Sequence, residues 1–341
     1  MWSNFETIEV HYNCGCFPWP KFYIKNSNAS MMKSVRDEAN RDDTDRDEVN
    51  RNDVTDGLTY KDAGVDIDVG AELVRRVKKI APGIGGFGGL ILNPGGDSYL
   101  VVTTDGVGTK LKLAVETGIH DTVAMCVNDI VTSGAKHSLF LDYFATSHLD
   151  GDLAEKVIKG IVDGCQQSDC VLLGGETAEM PGFYACREYD VCGFAVDTVE
   201  KDSVIDGKNI VVRISSLVFL RVETDFLLLE ASNSMSKVLD LVRKGVVKGI
   251  AHITGGGFME NIPRIFPEGL GAVIHKDSWV VPPVFNWIQE TNNTILPLHF
   301  AAETSQAGRI DDAEMRRTFN MGIRMVLVVY KEAADRILGD G

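Results

Sequence analysis

The chain has 341 residues, 44% of them apolar, and a formal net charge of −15. That length suffices for two domains with real cores, and the acidic balance argues against a general nucleic-acid binder, whose phosphate contacts demand a basic face. No stretch reaches the roughly 18 consecutive apolar residues of a membrane helix, so no membrane insertion is expected.

Residues 1–57 read as an arm, either disordered or targeting-like. Asp37–Asp56 holds nine acidic residues and three arginines with almost nothing apolar, a composition that cannot bury a core. Met1–Arg36 is aromatic-rich and irregular, without the apolar centre of a signal peptide. The seven cysteines are scattered and odd in number, which fits a reducing compartment. His11, Cys14 and Cys16 lie close together, but no second cluster completes a four-ligand zinc site.

From Leu58 onward the pattern is globular. Ala71–Ile80 has helical rhythm, with Leu73, Val74 and Val77 on one face. Gly83, Gly85 and Gly88 then match G-x-G-x-x-G, but a dinucleotide fingerprint follows a strand and opens a helix. Here it follows a helix, so it reads as a closing loop over phosphate or as a connector. Tyr99–Thr103 is a short β-branched strand that delivers Asp105, Gly106, Gly108, Thr109 and Lys110. A carboxylate there suits magnesium, which takes carboxylate, phosphate and water oxygens, and the lysine is a point charge for phosphate. The competing reading is a polar turn. Val123–Ser133 is a helix carrying Asn128 and Asp129 beside its apolar stripe. Ser138–Ala145 is a strand, Leu153–Cys165 a helix, Val171–Leu173 a strand, and Tyr189–Val199 another. Gly174–Pro181 reads as a glycine turn with Glu176 and Glu179 three residues apart, suited to metal binding or proton transfer. Leu217–Leu220 and Met325–Tyr330 are apolar runs of buried-strand length. Thr254–Asn261 sets Gly255, Gly256 and Gly257 before a helix start, the arrangement of an anion-binding N-terminus, with Arg264 nearby. Alternation of strands and helices makes the class α/β (α+β).

These motifs, in this order, resemble the aminoimidazole ribonucleotide synthetases. The resemblance rests on Tyr60–Ile67, Gly85–Gly88, Thr104–Lys110, Ala124–Asp129, Gly174–Pro181, Thr254–Arg264 and Arg317–Gly322. The wording is nearest to plant versions. It implies a two-domain fold, with 58–203 an N-terminal ATP-binding and dimerisation domain and 204–341 a C-terminal domain. It implies a homodimer and an ATP-dependent cyclisation of formylglycinamidine ribonucleotide, located in the cytoplasm or in a plastid. Mg2+ and ATP phosphates would fall to Asp105 and Asp129. Lys61 and Lys110 would neutralise phosphate charge, Gly85, Gly86 and Gly88 would form the closing loop, and Thr109 and Asn128 would line the nucleotide site. Glu176 would act near the reacting groups together with Asp129, and Gly255 and Gly256 would bind a phosphate. Sister ATP enzymes such as the selenophosphate synthetases fit less well, because Thr59-Tyr60-Lys61 lacks a reactive residue before the lysine.

The chain departs from that pattern in three places. Thr122 joins Val123 without a short Gly-Ile-Asp stretch, which could misaim Asp129 relative to Asp105. Residues 211–234 are aberrant and replace a segment containing His-Ser-Asn-Gly, which leaves the C-terminal domain incomplete and its apolar surface exposed. Residues 291–305 look inserted. These departures raise a second expectation: a non-catalytic or defective homologue that keeps dimerisation or nucleotide binding, with little or no ring-closing activity.

Overall fold

The computed structural model describes residues 5–9, 23–25, 59–84, 86–108, 111, 123–208, 210, 215–221, 231–275, 278–290 and 310–339. The elements run in the order β1 (Phe5–Glu9), β2 (Tyr23–Lys25), α1 (Ile67–Ile80), β3 (Gly89–Leu92), β4 (Ser98–Gly106), α2 (Val123–Thr132), β5 (Leu139–Thr146), α3 (Gly151–Gln167), β6 (Val171–Glu179) and β7 (Tyr189–Glu200). They continue with β8 (Ser215–Arg221), α4 (Ala231–Arg243), β9 (Val247–His252), α5 (Gly257–Asn261), β10 (Val273–His275), α6 (Pro283–Glu290), α7 (Asp312–Thr318), β11 (Ile323–Tyr330) and α8 (Lys331–Gly339).

Two sheets organise the molecule. The first has strand order β3-β4-β7-β5-β6, the second β1-β8-β11-β9, and β10 pairs with β2. In the first sheet β4 alternates Val101 and Thr103 inward with Val102 and Thr104 outward, the period-2 signature of a sheet covered on one face. α2 covers that inner face, and nine of its ten residues are buried. Such a helix, apolar nearly all round, belongs inside a molecule. Its apolar side chains merge with Val218, Leu220, Met325 and Leu327 of the second sheet into one core. The far face of the second sheet packs Leu217, Phe219, Phe258 and Trp279 into another.

α1 begins where Asp66 accepts hydrogen bonds from the Asp68 and Val69 amides at 3.0 and 3.1 Å, a side-chain N-cap. The expected stripe of Leu73, Val74 and Val77 forms, but no residue of α1 is buried.

Several expectations need correction. Phe5–Glu9 and Tyr23–Lys25, within the arm, are strands paired with β8 and β10. Asp37–Asp56 lies outside the described residues. Gly174–Gly175 is no turn: β6 runs through both glycines to Glu179, because it pairs in parallel with β5 along its length. The C-terminal core is not left open by the aberrant segment. Within it β8 pairs with β11 over seven residues, and Leu217 to Leu220 are each at most 2% exposed. Thr122, Phe226–Leu229 and 291–305 lie outside the described residues.

Candidate active site

The inner face of the first sheet meets the end of β9 at a chain of buried polar groups. Asp129, on α2, accepts from Thr103 Oγ1 of β4 at 3.3 Å and lies 2.8 Å from His252 Nδ1. A carboxylate only accepts, so Nδ1 carries the proton and Nε2 is left as the acceptor. Asn128 Nδ2 lies 3.3 Å from that Nε2. The series Asn128–His252–Asp129–Thr103 thus joins the two sheets. Asp129 is buried, and held from both sides.

Two features give the site chemical capacity. Asn128 Oδ1 is buried without a hydrogen-bond partner, and such an atom normally has one. Cys126, one turn before Asp129, is fully buried. Burial, then the Asp105 and Asp129 carboxylates, push its thiol far above the ordinary range, so it is no nucleophile at neutral pH. Its sulfur also accepts from the Asp105 backbone. Asp105 and Asp129 therefore flank one thiol.

These oxygens fit a magnesium ion. Mg2+ takes one or two carboxylates and fills the rest of its octahedron with phosphate and water, so Asp105, Asp129 and the orphaned Asn128 Oδ1 are donors of the right kind. Among the described residues no three His, Cys, Asp or Glu side chains gather as a metal-binding group.

Gly86 and Gly88 lead into β3, and between them the Phe87 carbonyl lies 3.2 Å from Thr103 Oγ1 and shares its one hydroxyl proton with Asp129. That ties the loop to the Asp129 cluster. Arg264 lies over the Phe87 ring at 5.2 Å. Lys61 is exposed and paired with Asp66 at 2.8 Å; the hydrogen bond and charge of Asp66 raise its pKa. Gly255 and Gly256 precede α5, with Gly256 in the left-handed region at φ +91°. Glu176 lies exposed on the edge strand β6, opposite Tyr143, and no described contact joins it to Asp129. Glu179 instead accepts from the Leu149 amide. Three residues apart on a strand, the two carboxylates face opposite sides. Gly85, Thr109 and Lys110 lie outside the described residues.

His252 was not legible as a site residue. A reading of the glycine motif that starts at Thr254 passes over it. The available signal is one imidazole between the apolar residues Ile250, Ala251 and Ile253.

The chain matches the model of the AIR synthase related protein N-terminal domain over residues 88–199 and that of the C-terminal domain over 224–340. It is 58% identical over 322 residues to a protein of Arabidopsis thaliana named phosphoribosylformylglycinamidine cyclo-ligase, chloroplastic, covering 84% of this chain and 78% of that one. Identity is 59%, with the same coverage, to the Vigna unguiculata protein named as the chloroplastic/mitochondrial form. Among solved structures, Thermotoga maritima PurL complexed with ADP superposes with TM-score 0.50 at 15% identity, covering 75% of this chain and 40% of that one. The HypE–HypF complex gives TM-score 0.50 at 17% identity, with 79% and 88% covered; at such identity the likeness is one of fold. The expectation of a defective homologue finds no support here: the C-terminal match runs from within the aberrant segment to the end of the chain. On these grounds the chain belongs to the phosphoribosylformylglycinamidine cyclo-ligase family, whose members are ligases.

Proposed function

We propose that the chain closes the imidazole ring of aminoimidazole ribonucleotide from formylglycinamidine ribonucleotide at the expense of ATP. The observation that carries this reading to particular atoms is the buried Asn128–His252–Asp129–Thr103 chain. Phosphoryl transfer to the formamide oxygen makes that oxygen a leaving group, and the amidine nitrogen then attacks the same carbon. The nitrogen sheds a proton as the ring closes. His252 Nε2 accepts it, with Nδ1–H oriented by Asp129, an arrangement that fixes tautomer and direction. Nε2 gives up only the 3.3 Å contact with Asn128. Bound Mg2+ supplies neutralisation of phosphate charge, and Asp105, Asp129 and Asn128 are the residues to hold it. Lys61 and Lys110 add positive charge, which phosphoryl transfer needs more than a nucleophile. Gly85, Gly86, Gly88, Thr109, Gly255 and Gly256 are assigned to phosphate binding, and Glu176 to a place near the reacting groups, by family resemblance. The names of the two plant relatives support a plastid location. No helix among the described residues is long and apolar enough to cross a membrane.

The test follows product formation and nucleotide binding together. Asp105→Asn keeps the size of the side chain and removes its charge. It is expected to weaken Mg2+-dependent ATP affinity, because a hard cation prefers a carboxylate. His252→Gln is expected to cut kcat about 100-fold, the lower range for a lost acid–base group, while ATP affinity holds. Unchanged ATP affinity in the first variant removes the metal assignment, and an unchanged kcat in the second removes the base.

A further inference from the structure

α7 (Asp312–Thr318) belongs to the C-terminal half, yet it touches the segment that carries Lys61. The Tyr60 backbone N–H donates to Glu314 Oε1 at 2.8 Å across 254 residues of sequence. Arg317 pairs with Asp68, two residues past the N-cap of α1. Glu314 and Arg317 are three apart on a helix, so they share a face. Between these contacts Lys61 is bound by Asp66, and Thr59 and Asp62 close a tight turn beside it. The segment and α7 line one cleft that includes Lys61, Asp66, Glu314 and Arg317.

α7 is a firm base for such a contact. Asp311 caps it by accepting from the Ala313 amide at 2.7 Å, Met315 is 1% exposed in the core, and Gln289 holds Asp312 at 2.7 Å. It also supports the glycine turn before α5. A Cβ on Gly257 would collide with the Arg316 carbonyl oxygen, so turn and helix meet backbone to backbone.

We infer that Glu314 is a positioning residue: by accepting from the Tyr60 amide it fixes where the Lys61 strap lies relative to the C-terminal half, and hence where the lysine charge meets the nucleotide. The inference rests on the assignment of Lys61 to ATP phosphate. Its chemistry is specific. A backbone donor needs an acceptor at that place, and a carboxylate or a side-chain amide oxygen supplies one, whereas a methyl group does not. Exposed Arg317–Asp68 adds little by itself, as surface ion pairs do.

The experiment uses the full chain with ATP and Mg2+, reading calorimetric affinity, KM for ATP, kcat and melting temperature for Glu314→Ala, Glu314→Gln, Lys61→Met and the Glu314→Ala/Lys61→Met double variant. Alanine is the best helix former, so α7 keeps its fold. Glu314→Ala is expected to raise Kd and KM for ATP about fivefold, the equivalent of about 1 kcal/mol for one net hydrogen bond, with kcat unchanged. Glu314→Gln is expected to restore both to within about twofold, since the amide oxygen still accepts. The double variant is expected to bind no more weakly than Lys61→Met alone, because Glu314 acts through the lysine. If Lys61→Met weakens binding but Glu314→Ala does not, or if their effects simply add, the positioning role is overturned and the lysine assignment stands. If Lys61→Met leaves ATP affinity unchanged, the lysine assignment and the inference fall together. A drop in melting temperature with no change in KM marks Glu314 as merely structural and overturns the inference as well.

Discussion

Two buried titratable side chains set opposite pH dependences. Asp142, on β5, is 6% exposed, and burial raises its carboxyl pKa. It lies against Gly175 of the neighbouring strand, where any Cβ would strike the carboxyl group. A carboxyl whose folded pKa is raised contributes stability below its unfolded value of about 3.9 and loses it as pH rises through the folded pKa. Asp142→Asn should therefore melt higher than the parent at pH 7, with the gap closing towards pH 4; calorimetry at several pH values reads it, and a constant gap refutes the assignment. His137 is the reverse case. Its Nε2 donates to the Ser168 carbonyl while Nδ1 is buried with no partner, and burial lowers its pKa. A depressed imidazole stabilises above its unfolded pKa of about 6.5, and that contribution is lost as pH falls through the folded value. His137→Gln should reduce the loss of melting temperature between pH 7 and pH 5. An equal slope in both proteins counts against the burial effect.

At the scale of elements, β8 shows how much a sequence reading reaches. The run Leu217–Leu220 has strand length and composition, and a strand forms there. What the pattern does not say is where the strand goes, because four consecutive buried residues fit any position covered on both faces. Only pairing with β11 and β1 gives it a place. Phe219 then sits 5.6 Å from Trp279 and 6.4 Å from Phe258, ring to ring. Phe219→Ala should destabilise by about 3–5 kcal/mol, as buried phenylalanines do, against the few tenths expected of a side chain outside the core; urea unfolding measures the difference. The same limit applies to the site. Asp105 and Asp129 stand out as candidates because a strand end and an apolar helix carry them in recognisable motifs. His252 does not stand out, since its contact with Asp129 arises only when β9 is brought against α2 from 123 residues away, and the Thr103 contact needs β4 laid under that helix. The backbone around Glu176 escapes the pattern for the same reason: a glycine pair reads as a turn, and only the partner strand β5 keeps the chain extended.

For the whole molecule, the outward face of the first sheet carries an expectation about assembly. Register sets Leu141 beside Phe194, and Val102 beside Val196 in the adjoining row. Leu141, Phe194 and Val102 are 37–38% exposed, although they lie mid-sheet. Among the described elements no helix packs on that side, and the edge strand β3 adds exposed Ile91, which pairs with Leu100 and so shares the Val102 face. A contiguous apolar sheet face of this kind marks an interaction surface, and an uncovered edge is itself a template for pairing. A second copy related by a two-fold axis would cover the face with itself, since such an interface uses the same patch twice. The chain is accordingly expected to be a homodimer through β4, β5 and β7. Phe194→Glu tests it most directly, because the substitution is tolerated on a solvent-facing position but places two carboxylates in a dry interface, where unpaired charge is costly. Sedimentation velocity at micromolar concentration should give a dimer for the parent and a folded monomer for Phe194→Glu. A parent that sediments as a folded monomer, or a variant that stays dimeric, would place the interface elsewhere or abolish it.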